Sequence, residues 1–292
     1  MKVLDLFSGI GGFSLGLERA GMTTVAFCEI EPYCQAVLKK HWPGVPIYDD
    51  IRSLSRTRLA RDGIIDELAD TESERCGEAR QHSQRHQERI TSSRNVSDTI
   101  TVRCNETRTW QPEPSGQIDV ICGGFPCQDI STAGKGAGIE GSRSGLWSEY
   151  ARLIGEIQPR FVIVENVSAL LGRGLERVLG DLAALGYDAE WHCIPASYVG
   201  APHRRDRVWI VAYPNSGGCA RPNMEREFPR RAEAIRTGET FNEADWFSQS
   251  GMGRVAHGVP ARVDRLKALG NAVVPQIPEI IGKAIVEQEK QP

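Results

Sequence analysis

Apolar positions in the first half of this chain follow two alternating rhythms. Short, largely apolar runs occur at Lys2 to Leu6, Thr23 to Cys28, Ile118–Cys122 and Phe161–Val164. Their length and composition predict strands buried on both faces. Between them the spacing is helical. Phe13, Leu17 and Ala20 share one helix face, and Gly21 stops that helix. Pro32 suits the first turn of a helix running to about Lys40. Leu146–Ile157, with Gly155 as a weak point, and Leu175–Leu185, ended by Gly186, predict two more helices. Ala189–Ile194 and Val208–Ala212 predict further strands, and a last helix runs from about Pro275 to Glu289. Strands alternating with helices imply an α/β fold with a doubly wound, mostly parallel, Rossmann-like sheet.

Two stretches break the pattern. Arg56 to Gln117 is polar and nearly free of large apolar residues after Leu68. Residues of about 70–115 therefore read as a flexible, loosely ordered insert. Pro214 to Val259 is rich in Gly, Arg and Glu with isolated aromatics (Phe228, Phe241, Trp246, Phe247), which predicts a small irregular lobe.

With 292 residues, the chain can bury one full core and a small second lobe. No apolar run approaches the length of a membrane span, and Met1-Lys2 leads straight into a strand rather than a signal peptide. The eight cysteines are scattered, with no pair at the spacing of a zinc or redox site, so no metal is expected. Free thiols without an export signal fit the cytoplasm. The net charge of −3 does not by itself suggest a nucleic-acid partner. Its distribution changes that: Gly200 to Lys267 holds twelve Arg or Lys against eight Asp or Glu.

The candidate chemistry begins with Phe125-Pro126-Cys127-Gln128. It follows an apolar strand and two glycines, so Cys127 stands beyond the carboxyl end of a strand, where open α/β sheets place their ligands. Pro126 fixes the backbone just before the thiol. An aimed cysteine is a candidate nucleophile. The turn Ser8-Gly9-Ile10-Gly11-Gly12 joins the first strand to a helix, and glycines there let backbone approach a ligand. Glu29 closes the second strand, where a carboxylate can accept ribose hydroxyls. Asp50 and Ile51 follow the next apolar stretch, Val45–Tyr48, and are able to flank an adenine. This set suits a nucleoside cofactor and leaves open a dinucleotide or S-adenosylmethionine. Glu165-Asn166-Val167 closes a third strand, and desolvation there raises a carboxylate's pKa toward neutrality. Arg204, Arg205 and Arg207 precede another strand and suit a phosphate clamp or a brace for a carboxylate.

Taken in order, these motifs, with Gly145-Leu146-Trp147 and Gly270-Asn271-Ala272-Val273-Val274-Pro275, resemble the C5-cytosine-specific DNA methyltransferases of bacterial and phage type. The resemblance spans nearly the whole chain. It implies methyl transfer from S-adenosylmethionine to C5 of cytosine in double-stranded DNA, at a specific sequence. Base flipping, and attack by Cys127 on C6 of the ring, belong to the same expectation. The resemblance assigns catalytic roles to Cys127, Glu165, Arg207 and Arg205, and positioning roles to Pro126, Gln128 and Asn166. It puts Phe7, Gly9, Gly11, Gly12, Glu29, Asp50, Ile51, Leu146 and Asn271 at the cofactor. It divides the chain into a catalytic domain (1–213), a target-recognition region (214–262) and a C-terminal segment (263–292) returning to the catalytic sheet. A monomer without membrane attachment is expected.

The chain departs from the family pattern in three places. His203 replaces the glutamine usual before the paired arginines, a long insert precedes Cys127, and the recognition segment is short. Arg262-Val263-Asp264-Arg265-Leu266 is the best match to the arginine motif that follows that segment. Two alternatives stay open: a tRNA cytosine-5 methyltransferase of the same fold, and a catalytically impaired DNA-binding paralogue. The Cys-Phe-Thr tripeptide of the tRNA enzymes is missing here. A nicotinamide dehydrogenase would rest on the glycine turn alone.

Overall fold

The computed structural model describes residues 1–66, 117–126, 145–215, 224, 229–230, 232–233 and 262–290. The expected insert at 70–115, nearly all of the expected recognition region, and Cys127 and Gln128 lie outside the described residues.

Seven strands form one sheet: β1 (Lys2–Leu6), β2 (Thr23–Cys28), β3 (Ile47–Tyr48), β4 (Val120–Gly123), β5 (Phe161–Val167), β6 (Tyr187–Pro195) and β7 (Asp206–Pro214). Their order is β3-β2-β1-β4-β5-β7-β6. The first five pair in parallel, while β7 runs antiparallel to both β5 and β6. The expected mostly parallel α/β sheet is present, with an antiparallel margin. Chain order reverses outward from β1, so loops leaving β1 and β4 border one crevice at the carboxyl ends of the strands.

Side-chain alternation sorts the core onto two faces. Leu4, Leu6, Ile121, Val162 and Val164 point to one side. There they meet the helices α4 (Leu146–Ile157) and α6 (Leu175–Ala184). Val3, Val120, Cys122, Phe161 and Ile163 point to the other. That side is covered by α1 (Gly12–Arg19) and by α8 (Gln276–Gln288), whose Ile277, Ile280 and Ile281 are buried. Residues of the C-terminal segment thus pack on the first helix of the chain.

Some elements differ from the expectation. Helix α3 (Arg56–Arg61) occupies the start of the stretch read as a polar excursion, with Ser55 accepting a capping hydrogen bond from the Arg58 amide. Leu59 and Ile65 bury themselves in the core, so two apolar anchors suffice to order this polar sequence. Strands β6 and β7 each run to nine residues, longer than their apolar cores, because mutual antiparallel pairing extends the ladder past them. Helix α4 has its expected bounds, Leu146–Ile157, and runs on through Gly155. The short α5 (Leu170–Arg173) and the helix α7 (Arg262–Asn271) have no counterpart in the apolar pattern. Helix α2 (Pro32–His41) begins at Pro32 as expected.

Candidate active site

Strand register assembles the site. Leu6 of β1 is level with Gly123 of β4, and Gly123 with Val164 of β5. The next residues, Phe7, Gly124 and Glu165, therefore lie side by side at the crevice. They line a cavity of about 320 Å³. Phe7 leaves β1 with a positive φ of 53°, uncommon for a residue with a side chain and a sign that the surroundings hold it there.

One end of the cavity is acidic. Glu29 is buried, and its Oε2 accepts from the Gly9 amide at 2.6 Å and its Oε1 from the Glu31 amide at 2.7 Å. Burial raises its pKa, and those backbone N–H groups oppose the rise. Asp50 accepts from the Arg52 amide at 2.9 Å and so caps the short 3-10 turn Ile51–Ser53. Ile51 itself is buried. Leu146, at the start of α4, and Asn271, at the end of α7, also line the cavity.

Gly9 and Gly12 line the cavity, but Gly11 does not. A Cβ at Gly11 would point at the Trp42 ring, 2.5 Å from its Cζ3, and φ there is +86°. Gly11 turns the chain into α1 and lets Trp42 close over it. Trp42 is anchored by its indole N–H on the Glu18 carboxylate, at 2.8 and 2.9 Å.

The other end holds Glu165, in contact with the start of the loop that leads to Cys127. Antiparallel pairing sets Val167 opposite Arg207. The Arg207 Nε lies 2.9 Å from Glu165 Oε1. Burial raises the Glu165 pKa, while Arg207 and then Arg205 pull it down. Asn166 donates from Nδ2 to the Phe125 carbonyl at 3.1 Å, fixing the residue before Pro126. Gly124 permits the approach, since a Cβ there would stand 2.7 Å from Glu165 Oε2. Arg205, with φ of 37°, donates to the Gly270 carbonyl at 2.6 Å and joins β7 to the end of α7.

The structure thus brings Phe7, Gly9, Gly12, Glu29, Asp50, Ile51, Pro126, Leu146, Glu165, Asn166, Arg205, Arg207 and Asn271 to one cavity, and leaves Gly11 behind it. It adds Gly124, Glu31 and Lys267, which motif reading did not single out. Lys267 Nζ lies 2.5 Å from Glu31 Oε1 at the cavity's edge. The doubled glycine before Phe125 was the available signal for Gly124. Nothing local in the sequence pairs Glu31 with a lysine 236 residues away. Among the described residues, no cluster of His, Cys, Asp or Glu is arranged to hold a metal ion. None of their helices is long and apolar enough to cross a membrane.

Comparison with known proteins identifies the family. A family model, C-5 cytosine-specific DNA methylase, matches residues 1–69 and 87–249. Its interruption at 70–86 is narrower than the insert expected from composition. The Type II methyltransferase M2.BsuMI of Bacillus subtilis is 34% identical over 73% of this chain and 42% of its own length. The Type II methyltransferase M.Eco47II of Escherichia coli is 31% identical over 73% of this chain and 39% of its own. The chain therefore spans less than half the length of these two relatives. Among solved structures, the Entamoeba histolytica methyltransferase EhMeth superimposes over 100% of this chain and 99% of that one, with a TM-score of 0.58 and 11% identity. That likeness concerns the fold alone.

Proposed function

Because the chain belongs to the C-5 cytosine-specific DNA methylase family, we propose that it transfers a methyl group from S-adenosylmethionine to C5 of cytosine in double-stranded DNA. The two bacterial relatives are Type II methyltransferases, and we extend that class to this chain: modification at a specific site, of the restriction-modification kind. The observation that carries the reading is the single cavity bounded by Glu29 at one end and by the Glu165–Arg207 pair at the other.

The cavity suits S-adenosylmethionine. A buried carboxylate, Glu29, stands where ribose hydroxyls can donate to it, Asp50 can accept from an exocyclic amine, and Phe7, Ile51 and Leu146 offer apolar surface to a purine. When bound, S-adenosylmethionine supplies an activated methyl group. Gly9, Gly12 and Asn271 line the same cavity.

At the opposite end, a cytosine turned out of the helix stack meets Glu165. A carboxyl held up by burial can keep a proton for N3 of the ring, easing negative charge onto it. Cys127, one residue past Pro126, attacks C6 as a thiolate and forms an S–C6 bond, and the C5–C6 double bond opens. The electron pair moves onto C5, which becomes the nucleophile. After methyl transfer, water acting as base takes the C5 proton, and the C–H bonding pair re-forms the C5–C6 double bond. The S–C6 bond then breaks and Cys127 leaves as a thiolate. Arg207 holds Glu165, with Arg205 beside it, and Asn166 holds Phe125, two residues before Cys127 in sequence. The basic stretch toward Lys267 supplies phosphate contacts.

The test is methyl transfer from labelled S-adenosylmethionine to mixed-sequence unmethylated DNA, with tRNA in parallel and Cys127→Ser as control. C5-methylcytosine in DNA, lost in the variant, supports the reading. Transfer to tRNA alone, or cofactor binding without transfer to either, overturns it.

A further inference from the structure

Two parts of the cavity's nucleoside wall come from distant places in the chain. Ile51 belongs to the 3-10 turn after β3, and Leu146 opens α4. Most of the sequence between them lies outside the described residues, and no strand pairing links the turn to the helix. One side chain of the helix bonds directly to the turn. Arg152, on the second turn of α4, donates from Nη2 to the Ile51 carbonyl at 3.1 Å and to the Leu54 carbonyl at 2.8 Å. Its other nitrogens are held by its own helix. Nε lies 2.8 Å from Glu149 Oε2 and Nη1 lies 2.5 Å from Glu156 Oε1. These acids stand three residues before and four after, on the same helix face.

The guanidinium is thus fixed in plane by α4 and caps the two carbonyls that bracket the 3-10 turn. Glu156 reinforces the joint, because its second oxygen accepts from the Arg56 amide at 2.9 Å. Arg152 itself does not reach the cavity.

We propose that Arg152 is a positioning residue for cofactor binding: it locks the Asp50–Ile51 wall to the helix that carries Leu146. The inference rests on the reading of the cavity as the S-adenosylmethionine site. The physical reason for arginine is geometric. A planar fork with five N–H groups can serve two carboxylates and two carbonyls at once, whereas an ammonium is a point donor that cannot. Apolar contacts alone set the spacing of turn and helix loosely. The hydrogen bonds set the rotation of the turn, and with it the direction of the Asp50 carboxylate.

The experiment compares the wild-type chain with Arg152→Lys and Arg152→Ala. S-adenosylmethionine dissociation constants are measured by calorimetry, DNA affinity by a gel shift, and folding by near-ultraviolet circular dichroism. Arg152→Lys keeps charge and helix propensity, so it remains informative where Arg152→Ala does not fold. The expected result is a loss of cofactor affinity of roughly ten-fold in Arg152→Lys, and more in Arg152→Ala. DNA affinity should be unchanged, and millimolar guanidinium should restore part of the cofactor binding in Arg152→Ala. Lys and Ala variants that fold and bind S-adenosylmethionine as the wild type does would overturn the inference and leave the cavity's assignment standing. A wild-type chain that does not bind S-adenosylmethionine would overturn that assignment, and the inference with it.

Discussion

Arg207 reaches back along the antiparallel margin of the sheet and places its Nε 2.9 Å from Glu165 Oε1. The pair combines a buried carboxylate with a cation that is itself only partly exposed, so neither charge is easily released to water. Burial and the arginine act in opposite directions on Glu165, and burial is the larger effect. Removing the arginine leaves the carboxylate buried without its partner, which favours its protonated form. In Arg207→Ala, methyl transfer should fall by about 10²–10³-fold, the range for losing one preorganised electrostatic partner. The alkaline limb of the residual rate should move to higher pH. Steady-state rates over a pH series check both, and an unmoved limb would separate Arg207 from the titration of Glu165.

Gly124 makes this placement possible. A methyl group there would lie 2.7 Å from Glu165 Oε2 and 3.4 Å from the Glu165 carbonyl. The carboxylate is pinned by Arg207 and cannot swing aside freely. Gly124→Ala should therefore lower kcat by about 100-fold through misplacement of about an ångström. The affinity for S-adenosylmethionine should change little. Single-turnover transfer beside equilibrium cofactor binding distinguishes this from general damage to the fold.

Much of this arrangement can be read in the sequence, and the remainder has physical causes. The strands Lys2–Leu6 and Thr23–Cys28 and the helix Leu146–Ile157 have the bounds their apolar patterns predict, because each is buried and each ends on a glycine or a polar turn. Glu165 was expected just past its strand. It lies inside β5, because pairing with β7 carries the ladder on to Val167. That pairing joins residues such as Val167 and Arg207, far apart in the chain, and leaves no local trace. The same holds for Arg152, whose partners at Ile51 and Leu54 are remote, although Glu149 and Glu156 at helical spacing hint that its side chain is held. Gly11 follows the motif but supports Trp42, because a glycine turn mixes residues that line the cavity with residues that turn the chain. The helix Arg262–Asn271 escapes the pattern because its apolar residues, Val263, Leu266 and Leu269, are exposed and Ala268 alone among the hydrophobics is buried.

Glu29 offers a test at the other end of the cavity. Both of its oxygens accept backbone N–H groups, one from the glycine turn and one from the start of the α2 connection. An amide can satisfy only one of these and turns an N–H₂ group toward the other donor. Glu29→Gln should loosen the Ser8–Gly12 turn and raise the dissociation constant for S-adenosylmethionine at least roughly ten-fold, the scale of one lost charge-assisted hydrogen bond. DNA affinity should be retained. Calorimetry with cofactor and a gel shift with DNA measure the two effects separately, and an equal loss in both would refute a role confined to the cofactor.

Asp5 gives the fold a pH dependence independent of the Glu165 pair. It lies in the middle of the sheet, fully buried, one strand over from Cys122. Its Oδ2 accepts from the Ser14 hydroxyl at 2.7 Å, while its Oδ1 is buried without a hydrogen-bond partner. Burial raises its pKa from 3.8 to about 7, with Glu29 adding to the rise and Ser14 and Cys122 opposing it. Between those values the native chain keeps a proton that the unfolded chain has lost. The contribution to stability is therefore complete below the unfolded pKa, declines as pH rises, and is gone once pH passes the folded value. The full span corresponds to at most on the order of 4 kcal/mol. Asp5→Asn carries no titrating group, so the stability difference between wild type and variant should shift in favour of the variant from about pH 5 to about pH 8. Glu29 and Glu165 are also raised by burial, but they are present in both proteins, so the difference reports Asp5 together with its coupling to Glu29. Urea denaturation at the two pH values measures it, and parallel curves for the two proteins would show that Asp5 does not titrate in this range.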